Sequence, residues 1–240
     1  METRKYELIF EGLRMIKEGA LFVIIGSLII SIVSVALVFT IPFSTFSIQH
    51  PAQQPPIPHI IGPIRYKVVI PVFYMNIYGA LGIYGLIALV IGVLIGAGLS
   101  LYGLYGKVIP GAERLATADS RYSTAHSLLK IGYLGGLGLL IIGVLTLKII
   151  IGVFFIILAM ILLLIGKIGM ALITFKLNED YDESMMLIAG ILFIVGIFIG
   201  FAEFIAWILV YVGIDSVIQK AETRLQYQPP PPPSPEAPVI

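Results

Sequence analysis

The chain has 240 residues, 58% of them hydrophobic and 12% charged, with a mean hydropathy of +1.02 and a net charge of +1. Soluble domains are about a quarter charged, so this chain has too little polar surface to coat a water-soluble globule. Its near-neutral charge offers no footprint for nucleic acid, and the absence of cysteine excludes disulfides, thiolate chemistry and Cys-based metal sites.

A helix crossing the roughly 30 Å hydrocarbon core needs about 20 apolar residues. Residues 1–18 come first, with Tyr6, Ile9, Phe10, Leu13 and Ile16 at helical spacing. They predict a cytoplasmic amphipathic lead-in helix. Four acids balance four bases there, and the apolar run that follows is too long for a signal peptide, so span 19–41 reads as a retained anchor. The outer loop 42–77 is rich in proline, and "RYKVVIPVFY" can pair with "FSTFSIQ" as a short β-hairpin capping the outer side. Its His50 and His59 have no carboxylate or thiol beside them, an incomplete ligand set that predicts no metal site.

The second span covers 78–104. The polar inner loop 105–130 follows, its Arg121 and Lys130 suited to a membrane's anionic face. Residues 131–175 form one apolar stretch, about 68 Å long as a single helix. It is divided near Lys148 into spans 131–147 and 151–175. The fifth span, 185–212, opens after "NEDYDES", where Asp182, Glu183 and Ser184 supply cap and dipole partners. Residues 215–240 read as a polar, proline-rich and largely disordered tail. The expected fold is an all-α integral membrane protein, a bundle of about five transmembrane helices.

With the N-terminus inside, nine lysines and arginines fall on inner segments and five on outer ones, Lys220 and Arg224 among the latter. Trp207 and Tyr211 would mark the outer interface, and Tyr102, Tyr105 and Tyr133 the inner one. Glycines four apart at Gly92/Gly96, Gly132/Gly136 and Gly196/Gly200 predict close helix–helix packing, within the chain or through self-association.

The phrases "EGLRMIKEGALF", "SLLKIGYLGGLGLLIIGVL" and "IAWILVYVGI" followed by a proline tail resemble an archaeal multi-pass family labelled domain of unknown function 973. The resemblance implies an archaeal plasma membrane location. It brings no activity, cofactor or site residues.

Two ionisable residues fall inside spans, Lys167 and Glu203. Charges at such depth cost at least about 2.5–3.5 kcal/mol on insertion scales and often mark function. With Lys148 and Lys176 taken as the ends of the fourth span and Ser184 and Asp215 as those of the fifth, the two lie about 12 Å or more apart along the bundle axis, which argues against a direct ion pair. Lys167 would then snorkel to the inner face, with Gly166 and Gly169 leaving room for its stem. Glu203 would reach the outer interface near Trp207, or meet Lys148.

Three functions follow for weighing. The first is a structural or interaction component of the membrane, partnered by lipid and membrane proteins and without cofactor. The second is a small transporter or channel component using Lys167 and Glu203. An enzyme is not expected, because the chain has no His-Glu-x-x-His, Gly-x-Ser-x-Gly or Walker sequence. No proline interrupts the spans, which favours the first reading over the second.

Overall fold

A computed structural model describes the backbone of residues 2–46, 72–148 and 150–226, with side chains for 4–36, 85–148 and 150–226. Among the described residues there are helices and turns but no strand. Five helices are long and apolar enough to cross a membrane: Arg4–Ala36, Gly85–Ala118, Ser120–Leu145, Ile151–Tyr181 and Gly200–Gln226. The chain divides into two units, residues 25–100 and residues 1–24 with 101–240.

The smaller unit is drawn from α1 (Glu2–Phe46) and α2 (Val72–Gly103). The two helices touch at small residues: a Cβ on Gly96 would lie 2.7 Å from the Gly26 carbonyl oxygen, and one on Gly92 would lie 2.6 Å from Val33. Close backbone approach of this kind favours van der Waals packing in lipid, where the hydrophobic effect cannot drive helices together. The expected β-hairpin is overturned where it is described, because residues 43–46 end α1 and residues 72–74 begin α2. A helix satisfies its own backbone next to an apolar medium. The rest of that loop, with His50 and His59, lies outside the described residues.

In the larger unit, the segment expected as inner loop 105–130 is helical. A π-helical turn at Leu104–Val108 leads into α3 (Ile109–Ala118), and a 3₁₀ turn at Ser120–Tyr122 opens α4 (Ser123–Lys130). Ile109, Ala112, Leu115, Ala125 and Leu129 are buried at helical spacing, so the polar residues between them form outward faces and not a loop. Asp119 alone separates α3 from the 3₁₀ turn. Its backbone is extended, and its carboxylate accepts the Arg121 N–H at 3.0 Å. A second π-helical turn, Ile131–Gly135, joins α4 to α5 (Gly136–Leu145).

The chain then turns back into α6 (Ile151–Tyr181). Gly132 lies against the Gly166 backbone, Gly136 meets Leu163 and Gly169 meets Leu129. These glycines therefore serve packing inside the chain, and Gly166 and Gly169 make no channel for the Lys167 stem. Asp182 ends α6 in the left-handed conformation (φ 51°), one that short polar side chains tolerate. Helix α7 (Ser184–Val195) begins one residue before the expected start at 185, and the expected side-chain cap from Asp182, Glu183 or Ser184 is not formed.

The fifth expected span is two helices. After α7 the chain reverses through Gly196–Ile199 and returns as α8 (Gly200–Gln226). Gly196 permits the reversal, since a Cβ there would lie 2.8 Å from the Glu203 Cβ. The hairpin closes with Phe193 edge-on to Trp207 at 5.0 Å and with Met186 against Gly213. Residues 215–226, expected within a disordered tail, are the last turns of α8; residues 227–240 lie outside the described residues.

The reversal carries α8 back to the end of the unit that holds the start of α1. Lys17 Nζ meets the Asp215 carboxylate at 2.6 Å, and Lys220 meets Glu183 at 2.9 Å. Lys220 and Arg224 therefore do not lie on the side opposite the N-terminus. Trp207 is buried, and Tyr211 lies beside Lys17, so neither marks an outer interface. The buried core, with Leu13, Leu115, Leu129, Leu177 and Ile214, occupies the charged half of this unit, whereas Leu145, Ile150, Ile151 and Phe154 are exposed at the other end.

Candidate functional site

The site begins with helix register. Helices α6 and α8 both run antiparallel to α7, so they are parallel to each other. Gly190 packs on Thr174 of α6, and Met186 packs on Gly213 of α8, which brings Val210 close to the level of Thr174. Seven residues back along each parallel helix, about 10 Å at 1.5 Å per residue, lie Lys167 and Glu203. They meet: Lys167 Nζ donates to Glu203 Oε2 at 2.6 Å, the two side chains being 21% and 25% exposed.

This overturns the expected separation. That separation treated Ser184 to Asp215 as a single helix, which would carry Glu203 past Lys167. The reversal at Gly196–Ile199 instead sets Glu203 in the first turn of α8. Lys148, the other partner considered for Glu203, lies in the turn between α5 and α6.

One tyrosine adjoins the pair, and a second is bonded to it. The ring of Tyr133 occupies the place where Gly166 would carry a side chain, next to Lys167. Tyr133 lies in one π-helical turn, and its carbonyl accepts the hydroxyl of Tyr105, from the other, at 2.8 Å. A π turn inserts an extra residue into a helix and displaces a carbonyl from its usual donor. Such turns recur at functional sites. Tyr105 and Tyr133 were expected as interfacial aromatics, and sequence gives no signal for a π turn.

A second cluster forms a collar at the charged end. Besides the bridges from Lys17 and Lys220, Lys107 holds Glu18 at 2.6 Å and Arg114 holds Glu11 at 2.9 Å. Arg121 bridges Asp119 at 2.9 Å and Asp180 at 2.7 Å. The Asp119 carboxylate is held down to about 2, chiefly by the Arg121 side-chain hydrogen bonds. Among the described residues no group of three or more His, Cys, Asp and Glu side chains is arranged to hold a metal.

The arrangement can fix helices against one another by paired charges in an apolar setting and by ion pairs at one end. Residues 10–240 match the family described as "Protein of unknown function (DUF973)". No curated protein and no solved structure matches the chain. The sequence phrases, the apolar helices and this match over nearly the whole length agree, and the chain belongs to the DUF973 family.

Proposed function

We propose that the protein is a non-enzymatic structural or interaction component of the membrane, held in four crossings and closed by a re-entrant hairpin, α7–α8. Helix α7 has 12 residues, about 18 Å at 1.5 Å per residue, too short for a core of about 30 Å. Helix α8 returns to pair with Lys17 and Glu183. Measured from Ile151, Lys167 lies about 24 Å along α6, so the ion pair falls near the inner edge of the hydrocarbon. Of the thirteen lysines and arginines in the described residues, Lys148 alone lies at the α5–α6 turn, and eleven lie in the opposite half with the collar. This asymmetry supports a cytoplasmic collar, in the archaeal plasma membrane that the family resemblance implies.

The observation that carries the structural reading is the Lys167–Glu203 bond. Both ionisable groups found within expected spans are used on each other, which fastens the hairpin tip to α6. A second reading, a small transporter or channel component, is favoured by the break at Gly196–Ile199 beside Glu203, because broken helices line ion sites in transporters. Reconstitution in vesicles separates the two. Proton and cation flux is expected to equal that of empty vesicles and to be unaffected by Lys167→Leu or Glu203→Gln. Flux that either substitution abolishes would replace the structural reading with transport.

A further inference from the structure

We propose that the collar contains a binding site for a phosphate group, carried by a lipid headgroup or by a soluble phosphate compound. A cavity of about 130 Å³ opens between the start of α1, the α3–α4 junction, the end of α6 and the end of α8. Along α6 it lies at Asp180, thirteen residues beyond Lys167, or about 20 Å. That distance sets it beyond the hydrocarbon edge, among headgroups or in water.

Its chemistry is that of an anion receptor with unused donors. Lys5, Arg121 and Arg224 line it against Asp119 and Asp180, an excess of one positive charge. The two carboxylates are already engaged. Asp119 accepts from the Arg121 side chain and backbone, while Asp180 accepts from Arg121 and from the Tyr122 hydroxyl at 2.6 Å. Lys5 makes only a long ion pair with Asp119, at 3.7 Å, which leaves its hydrogen-bond donors unused. Arg224 lies over the Tyr181 ring at 5.3 Å and has no carboxylate partner among the described residues.

Lys5 of α1 and Arg224 of α8 therefore line one small cavity, with Tyr6 and Tyr181 beside them. A guanidinium and an ammonium with added hydroxyls match the oxygens of a phosphate group. The cavity's size admits such a group, with the rest of the ligand outside it. A polypeptide or nucleic acid would need an extended surface, which this recess does not supply.

The test uses the full chain in sugar-based detergent micelles free of phosphate, read by thermal unfolding midpoint. One arm titrates inorganic phosphate against chloride at matched ionic strength. The other dopes the micelles with phosphatidylglycerol against a phosphate-free glycolipid. A saturable rise is expected in at least one arm. A response to inorganic phosphate indicates a soluble compound, and a response to the phospholipid alone indicates a headgroup. Lys5→Gln/Arg224→Gln should weaken the apparent affinity at least about tenfold, Tyr181→Phe should weaken it several-fold, and Lys176→Gln, outside the cavity, should leave it unchanged. No saturable rise in either arm, or wild-type affinity in the double variant, would overturn the proposal.

Discussion

Lys167 and Glu203 are each conspicuous in sequence because an apolar run surrounds them; their meeting is not. Pairing depends on register between α6 and α8, which passes through α7 and no local pattern records. Lys167→Met leaves the Glu203 carboxylate without its partner at 2.6 Å. Breaking a fully buried pair costs about 3–5 kcal/mol, and partial exposure reduces this to an expected loss of about 1–3 kcal/mol. Lys167→Met/Glu203→Gln should recover part of that loss, measured as coupling in a double-mutant cycle by denaturant unfolding in micelles. Strict additivity would show that the two side chains do not stabilise each other. Asp119 gives a pH dependence. Its carboxyl is held at about 2 in the fold by Arg121, below the ordinary value of about 3.9. Its contribution is full above about pH 4 and is lost as pH falls through about 2. Acid titration of the unfolding midpoint should show this loss in the native chain and a smaller one in Asp119→Asn.

At the scale of elements, the apolar runs announce helices without showing where they stop. The turn Gly196–Ile199 holds Ile197, Phe198 and Ile199 and none of the Pro, Asn or Asp residues that signal a turn in water. Hydropathy therefore reads through it, and only the two flanking glycines hint at a reversal. Gly196→Leu should drive a side chain into the first turn of α8, where even a Cβ would lie 2.8 Å from that of Glu203. We expect a loss of about 2 kcal/mol or more in the same unfolding assay, within the range of overpacked cores. Wild-type stability in that variant would mean that the hairpin does not close there. The opposite misreading affects residues 105–130, whose polar residues suggested a loop. Their apolar positions carry helical spacing, and burial of Leu115 and Leu129 against neighbouring helices decides the outcome. The close packing at Gly96 and Gly132 was legible, because small-residue spacing is a local signal, and the polar run before α7 marked its start to within a residue although it forms no side-chain cap.

For the whole molecule, composition points to a membrane protein, and five helices among the described residues are long and apolar enough to cross a bilayer. Sidedness turned on one reversal. The expected tally set Lys220 and Arg224 apart from the N-terminal charges, whereas Lys17 bonds Asp215 and Lys220 bonds Glu183 in one collar. The absence of native cysteine makes this arrangement directly testable. Single substitutions Glu7→Cys, Glu222→Cys and Lys148→Cys fall at exposed positions in α1, α8 and the α5–α6 turn. Labelling with a membrane-impermeant thiol reagent, in intact and opened vesicles, reports the side of each. Glu7→Cys and Glu222→Cys are expected to label together from one side and Lys148→Cys from the other. Labelling of Glu222→Cys from the same side as Lys148→Cys would contradict the re-entrant hairpin and, with it, the clasp formed by Lys167 and Glu203.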